Sequence, residues 1–354
     1  MTNQLTSDQL ASFHCSRPEP LEPPTDTLVI AEREHVYGSF VARYKDASVL
    51  LKQKILREVF YDFADAMTML YAVENSEILR LLLQEARSAL GDLAYLAIQS
   101  CDRVCRERRG RVRFIELEGL DVLKQLFYKE HGDIRVMVYH CLEELALDEA
   151  ILPVLYDAGF FTLVCRRLAE EPFDAHLQSL NRTLGSFLLM NGVTARALEH
   201  QVEDSLVANC QKASRQVASL STKNLLYITY TTQGKLAIVE KSIHRTLAQL
   251  YKLAEVDKVV FMEFFGSVAQ ITGAKKDLVE LGFVDEALKF IDTKGPADLV
   301  LASLLLLTSL SEYGNQRHLL KQHLETIEVL RYHEDYELLG DYVEDLIQTI
   351  NWAP

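Results

Sequence analysis

Apolar residues recur at intervals of three and four through most of the chain, which is the spacing of amphipathic α-helices. The clearest examples lie between Val112 and Phe161, where two consecutive stretches each carry one apolar stripe. The stripes consist of Leu120, Leu123, Leu126 and Phe127 in the first stretch and of Ile134, Met137, Val138, Cys141, Leu142 and Leu145 in the second. No strand-like alternation of any length appears. A unit of this kind cannot bury its apolar faces alone, so the pattern predicts an all-α fold of stacked copies.

Glycines recur with a period of about 41 residues and predict the limits of the copies. One set marks the junction between a short first helix and a second helix, and its members follow one another at this period: Gly119, Gly159, a place near Gln201, a place near Ser242, Gly282 and a place near His323. A second set is expected to close helix ends in the left-handed conformation: Gly192, Gly234, Gly273 and Gly314. A third set is expected to permit close helix packing inside the last helix of a repeat: Gly91, Gly185 and Gly266.

Composition divides the chain into three parts. Residues 1–33 hold four of the eight prolines and show no helical period, so they are predicted to form a disordered, proline-containing tail. Residues 34–111 have an irregular helical spacing and are predicted to form N-terminal capping repeats. Residues 112–354 are predicted to form the regular array with an acidic C-terminal cap. In that cap, Glu325–Asp345 carries eight acids against Arg331, which is typical of a capping helix or of a docking surface.

The bulk chemistry disfavours several classes of function. A net charge of −14 argues against general nucleic-acid binding, which depends on a basic surface. The longest apolar run, Leu299–Leu310, is about half as long as a membrane-spanning helix. The first ten residues, Met1–Leu10, are polar and do not resemble a secretory signal peptide. The six cysteines are scattered, as is typical of reduced thiols in a cytoplasmic protein. No phosphate loop, dinucleotide fingerprint or hydrolase motif occurs, so we predict no catalysis, cofactor or metal site.

The repeated motif resembles the armadillo repeat. Its strongest matches are FIELEGLDVLKQLF followed by HCLEELAL, and DLVELGFVDEALKFI followed by LLLLTSL. The resemblance covers residues 112–354 as about five to six repeats and residues 34–111 loosely. It implies a right-handed superhelical solenoid of three-helix repeats whose third helices line a concave groove. It also implies a non-catalytic scaffold that binds a partner protein in that groove.

Peptide-binding armadillo proteins such as importin-α carry an asparagine late in each third helix and a tryptophan one turn earlier. The positions that match the asparagine are Asp92, Glu144, Ser186, Tyr227, Ser267 and Ser309, and those that match the tryptophan are Ser88, His140, Arg182, Lys223, Glu263 and Leu305. This departure disfavours an importin-like reader of basic signals. Instead, His140, Arg182 and Lys223 predict a mildly basic spot in the groove. Either it receives an acidic or phosphorylated segment of a partner, or it is ordinary surface charge.

A second candidate surface is the basic segment from Arg103 to Arg113. It contains six arginines, which can hold carboxylate or phosphate through a planar fork: Arg103, Arg106, Arg108, Arg109, Arg111 and Arg113. The alternative is a solvated hairpin between two helices, whose charges are balanced by the acidic surface nearby.

Two other functions stay open beside the scaffold. The acidic segment near the C-terminus has a short similarity to the armadillo-type nucleotide-exchange factors of Hsp70, which implies a chaperone regulator. A cytoskeletal or axonemal assembly component is the other alternative, because small armadillo proteins commonly have such a role. The sequence identifies neither the partner nor an oligomeric state.

Overall fold

The computed structural model describes residues 36–88, 91–129, 131–212, 214–253 and 256–352, and every regular element in these residues is a helix. They form two compact units that divide between Phe160 and Phe161. The prediction of an all-α fold is therefore confirmed. The tail predicted for residues 1–33 lies outside the described residues. No helix in the described part of the chain is long and apolar enough to cross a membrane.

The first unit begins, in its described part, with a helical stretch at residues 36–44. It continues with α1 (Val49–Asp62), α2 (Ala66–Asn75), α3 (Ile78–Ser88), α4 (Asp92–Arg106), α5 (Arg108–Glu116), α6 (Gly119–Leu126), α7 (Gly132–Ala146) and α8 (Leu152–Asp157). A first, a second and a third helix follow one another in α2–α3–α4 and again in α5–α6–α7. The third helices pack in series, α1 on α4 and α4 on α7. The three-helix order is thus present from Ala66 onward, ahead of residue 112.

The second unit repeats the same order of helices. It contains α9 (Phe160–Glu170), α10 (Asp174–Leu188), α11 (Val193–Glu199), α12 (Val202–Lys212), α13 (Arg215–Ile228), α14 (Thr232–Glu240), α15 (Ile243–Leu253), α16 (Lys258–Val268), α17 (Thr272–Glu280), α18 (Phe283–Leu288), α19 (Ala297–Ser311), α20 (Gln316–Lys321), α21 (Leu324–Glu328), a 3-10 turn (Val329–Tyr332) and α22 (Tyr336–Asn351). The third helices are α10, α13, α16, α19 and α22. Each packs on the next, so they form a continuous layer.

Side-chain caps explain where several helices start. Ser48 precedes α1, and its hydroxyl accepts a hydrogen bond from the Leu51 amide at 3.3 Å. Asp65 does the same for α2 from the Thr68 amide at 2.9 Å. An oxygen three residues before an amide satisfies one of the donors that the first helical turn leaves free. The local sequence therefore favours these helix starts.

Left-handed residues mark the junction between the first and second helix of successive repeats. Their φ angles are 62° at Glu118, 85° at Gly159, 53° at Gln201, 55° at Ser242 and 81° at Gly282. The period expected from the glycines is thus present in the backbone, and the first and last positions of the series are junctions as predicted: Gly119 begins α6, and His323 directly precedes α21. At the first junction the left-handed residue is Glu118. Gly119 provides space instead, because a Cβ there would lie 2.4 Å from the Phe114 ring. His323 has a φ of −106° and is not left-handed.

Replacing Ser242 by glycine is expected to raise the free energy of unfolding by about 0.5–1 kcal/mol. A left-handed backbone costs a residue with a Cβ roughly that amount, whereas glycine adopts it without strain. Urea denaturation followed by circular dichroism measures the change. The matched control is Gly282→Ala, which introduces the same strain at an equivalent junction and should shift the midpoint the other way. Equal midpoints for both variants and the wild type would contradict the argument.

The second glycine set was half right. Gly192 and Gly314 are left-handed, with φ of 81° and 55°, as expected for glycines after a helix end. Gly234 and Gly273 instead lie in the first turns of α14 and α17 and are not left-handed. Gly234 is required for a different reason, because a Cβ there would lie 1.8 Å from the Ile228 carbonyl oxygen. It allows α14 to start directly against the end of α13.

The third glycine set was right at two positions and wrong at one. Gly185 lies inside α10, where a Cβ would come 3.0 Å from Asn224 Oδ1 on α13. Gly266 lies inside α16, where a Cβ would come 3.5 Å from the Leu306 amide nitrogen on α19. Both positions face the next third helix closely, as expected. Gly91 has a φ of 66° and precedes α4, so it is a cap between helices and not an interior position.

The core of each unit lies between its second and third helices. In the second unit the densest part is aromatic: the ring centroids of Phe265 on α16 and Phe283 on α18 lie 4.4 Å apart, and Tyr251 on α15 contacts both. Buried amides join neighbouring third helices elsewhere in this unit. Asn224 Nδ2 donates to the backbone oxygen and to Oδ1 of Asn181, at 2.9 and 3.0 Å. These contacts hold α10 and α13 in a fixed register.

Candidate protein-binding surface

Each inner third helix of the second unit exposes one stripe of residues. The stripe has an exposed residue, a half-buried residue four positions later and an exposed residue three positions after that. We call these residues the third-helix surface, and the last residue of each set lies one or two positions after the helix ends: Arg182, Ser186 and Leu189 at α10; Lys223, Tyr227 and Tyr230 at α13; Glu263, Ser267 and Gln270 at α16; and Leu305, Ser309 and Glu312 at α19. Positions i, i+4 and i+7 share one helix face. Because the third helices pack in series, the stripes lie side by side.

The centre of the third-helix surface is aromatic and cationic. The rings of Tyr227 and Tyr230 lie 5.6 Å apart, and Lys223 Nζ lies 5.9 Å from the Tyr227 ring. Tyr230 is 61% exposed although it is a large aromatic side chain. On the neighbouring helix α10, Leu189 is 60% exposed. Exposed aromatic and aliphatic side chains beside a cation can take up an apolar group together with an adjacent anionic one.

The charge of the third-helix surface changes sign from α13 to α16. Arg182 and Lys223 provide cations on α10 and α13, and Glu263 provides an exposed acid on α16. Partial burial raises the pKa of Glu263; Lys223 opposes this shift, while Asp298 and Asp257 add to it. Partial burial also raises the pKa of Tyr230, with Tyr227 and Glu263 contributing in the same direction. Glu263 therefore interacts electrostatically with both Lys223 and Tyr230 on the neighbouring repeat.

The serines at α10 and α16 in the third-helix surface have different hydrogen-bond partners. Ser267 is held by its neighbour, because Thr229 Oγ1 donates to Ser267 Oγ at 2.7 Å. Ser186 Oγ donates to the Arg182 backbone oxygen at 3.5 Å, within its own helix. Both hydroxyls form hydrogen bonds with groups of this chain. The binding chemistry of this surface therefore rests on Arg182, Lys223 and the two tyrosines.

In the first unit, the position predicted at Asp92 was wrong. Asp92 is the first residue of α4, whereas the predicted slot is near the end of a third helix. The buried residues of α4 and α7 align one repeat apart, which puts Arg103 opposite Glu144 and Gln99 opposite His140. Arg103 donates through Nη1 to the Phe60 carbonyl at 2.8 Å, and its guanidinium lies 3.7 Å from the Phe60 ring centroid. It is therefore held within the unit.

His140 and Glu144 lie one turn apart on α7, and both are half-buried. Burial raises the pKa of Glu144, and the nearby Asp102 raises it further. Arg111 Nη1 lies 3.4 Å from the Glu144 backbone oxygen. Both residues belong to the first unit, whereas the third-helix surface lies in the second. Of the three residues in the predicted basic spot, the third-helix surface therefore contains only Arg182 and Lys223.

The basic segment is a junction between two helices, and all six arginines have partners in the first unit. Only Glu107 separates α4 from α5. Three of them form close ion pairs: Arg106 with Asp102 at 2.8 Å, Arg109 with Glu74 at 2.6 Å and Arg113 with Glu116 at 2.9 Å. Arg108 and Arg111 lie 3.8 and 3.6 Å from Asp148. Arg103 contacts Phe60 as described. The charges are balanced by nearby acids, as the second alternative proposed. Arg108 and Arg109 keep 79% and 70% of their side chains exposed.

Comparisons with known proteins support the fold. No protein-family model matches the sequence, and no curated protein sequence matches it. A crystal structure of an engineered protein from a structural genomics consortium aligns with a TM-score of 0.76 and 13% identity, over 89% of this chain and 78% of that chain. A chain from a structure on a phosphorylation switch that controls the interaction between cadherin and beta-catenin aligns at 0.67 with 11% identity, over 89% of this chain and 61% of that chain.

The chain has an armadillo-like helical repeat fold. The recurring three-helix repeat and the two alignments over most of the chain agree on this point. A designed armadillo repeat protein also aligns, over 77% of this chain, but its TM-score of 0.44 is too low to add to the argument. At identities of 11% and 13%, these similarities concern the fold alone.

Tyr230 and Leu189 were not predicted as site residues. Both come three positions after a predicted slot, at the end of a third helix. The sequence signal that identifies them is an apolar residue at a position that should be exposed in the helical register. An exposed large apolar side chain is more informative about binding than a single exposed charge.

Proposed function

We propose that the protein is a non-catalytic, cytoplasmic scaffold that binds a partner protein through the third-helix surface of its second unit. The observation that carries this proposal is the grouping of Tyr227, Tyr230 and Lys223 beside the exposed Leu189. Aromatic anchors with neighbouring cations are typical of the centre of protein interfaces. The partner segment would place an apolar or aromatic side chain against Tyr230 and an acidic or phosphorylated residue near Lys223 and Arg182.

The complex of cadherin with beta-catenin gives this proposal some support, because the structure aligned above concerns a protein–protein interaction governed by phosphorylation. The likeness extends to the fold only. The chemistry of the segment bound here therefore follows from the side chains of this chain. A surface with two cations and two aromatic rings favours a segment that is both acidic and apolar over a basic one.

The double variant Arg182→Glu, Lys223→Glu is expected to lose its partner by more than tenfold in quantitative affinity capture from cell lysate. Reversing two charges replaces attraction to an acidic segment with repulsion, at positions that lie on the surface. Tyr230→Ala should weaken the same partner by removing its apolar contact. The matched control is Lys276→Glu, Lys294→Glu, which makes the same net charge change on exposed residues elsewhere in the second unit.

The proposal is contradicted if both surface variants capture the same partners as the wild type. It is also contradicted if the control variant loses as much partner as the surface variants. Treating the lysate with phosphatase separates the two kinds of acidic segment. Loss of capture after that treatment indicates a phosphorylated residue, and unchanged capture indicates carboxylates.

A further inference from the structure

The last third helix, α22, has a second exposed stripe that the third-helix surface does not include. Its residues are Leu338, Asp341, Tyr342 and Asp345, which share one face at positions i, i+3, i+4 and i+7. Leu338 is 56% exposed and Tyr342 is 37% exposed. A different face of the helix is buried, through Leu339, Val343, Leu346 and Ile350. We call these four exposed residues the α22 stripe.

The α22 stripe lies where the layer of third helices ends in the described chain. α22 packs on α19, and no further third helix follows it up to residue 352. Residues of the two helices correspond one repeat apart, as shown by the buried pairs Leu306 with Leu346 and Leu310 with Ile350. In the same alignment, Ala302 of α19 is 1% exposed, whereas its counterpart Tyr342 is 37% exposed. The last helix thus exposes an apolar position that is covered one repeat earlier.

Charge decides what kind of group can cover the α22 stripe. The segment Glu325–Asp345 has eight acids and a single arginine, Arg331. Arg331 is already held by Glu344, through hydrogen bonds of 2.9 and 3.1 Å from Nε and Nη2. Asp341 and Asp345 therefore flank Tyr342 with no cation of the α22 stripe itself to balance them. A cationic side chain gains attraction from these carboxylates, and its charge is also favoured over the face of an aromatic ring.

We propose that the α22 stripe binds a basic amphipathic helix of a partner protein. The apolar face of that helix would pack on Leu338 and Tyr342, and its lysines or arginines would pair with Asp341 and Asp345. The bound helix would pack against the exposed side of α22. A second copy of this chain is a poorer occupant, because its net charge of −14 brings like charges together. This site is additional to the third-helix surface and does not depend on it.

The test uses the full chain and two fluorescein-labelled model peptides of about 18 residues, enough for five helical turns. One peptide is an amphipathic helix of leucine, alanine and lysine, and the other has glutamate in place of every lysine. Fluorescence anisotropy should show binding of the lysine peptide and none of the glutamate peptide. Asp341→Lys, Asp345→Lys and, separately, Leu338→Ser, Tyr342→Ser should each weaken binding at least tenfold. Arg182→Glu, Lys223→Glu should leave it unchanged.

The matched control is Glu240→Lys, Asp285→Lys, which makes the same charge change on exposed acids outside the segment Glu325–Asp345. An equal loss for this control would mean general attraction to an acidic protein and would overturn the proposal. Unchanged binding by Leu338→Ser, Tyr342→Ser would overturn it as well. Sedimentation velocity tests whether a second copy of the chain binds the α22 stripe. If the wild type self-associates and the stripe variants do not, this face binds a second copy, and the proposal of a partner helix is refuted.

Discussion

Gly234→Ala is expected to lower the free energy of unfolding of the second unit by about 2–4 kcal/mol. A Cβ at this position would lie 1.8 Å from the Ile228 backbone oxygen and 2.7 Å from its carbonyl carbon. Those atoms belong to the end of α13, so no side-chain rotation relieves the clash. Either α14 moves away from α13, or its first turn unwinds. Urea denaturation followed by circular dichroism measures the loss, and hydrogen exchange should show it first at the start of α14.

Gly273→Ala is the matched control for that result. Gly273 belongs to the same glycine series and lies in the equivalent first turn of α17, but the nearest atom to its Cβ would be Val239 Cγ1 at 3.6 Å, an ordinary contact. Alanine is favoured over glycine in a helix by about 1 kcal/mol, so this variant should be neutral or slightly stabilised. Similar losses at the two positions would show that the close approach of α14 to α13 is not what Gly234 provides.

Phe265→Ala is expected to destabilise the second unit by about 3–5 kcal/mol. Phe265 is fully buried on α16, and its ring contacts those of Phe261, Phe264, Phe283 and Tyr251 at centroid distances from 4.4 to 6.1 Å. Its removal leaves a cavity where a second and a third helix meet, and rigid helices cannot collapse into it completely. The measured quantity is again the free energy of unfolding in urea.

Phe173→Ala provides the comparison for the aromatic core. Phe173 precedes α10 and is 55% exposed, so its truncation should cost less than about 1 kcal/mol. A loss at Phe265 no larger than the loss at Phe173 would contradict the assignment of the aromatic cluster as the core of this unit. The two variants remove the same number of atoms, and the comparison therefore isolates burial.

The repeat period could be predicted from sequence because several junctions happen to use glycine. The sequence could not show that Glu118, Gln201 and Ser242 adopt the same left-handed conformation. The cost of that conformation is only about 1 kcal/mol, so packing at the junction can impose it on a residue that does not favour it. The positions of the glycines therefore reveal only some of the left-handed residues. Gly119 shows the reverse case, since it is retained for the Phe114 ring and not for its φ.

The surface was harder to predict than the fold. The motif around Gly91 is similar to the one around Gly185, yet the first precedes a helix and the second lies inside one. Only the burial pattern further along α4, at Cys101 and Val104, reveals the correct register. The arginines at the end of α4 and in α5 were also ambiguous, because a charge run in sequence does not show which acids from other helices lie beside it.

The left-handed junctions allow whole repeats to be exchanged. Gln201 and Ser242 have φ of 53° and 55° and hold the same place before a second helix in successive repeats. Deleting residues 202–242 would join Gln201 to Ile243 and leave a left-handed residue in front of a second helix, as before. Duplication of the same stretch preserves the joint equally well. An array connected in this way can become longer or shorter by one repeat at a time.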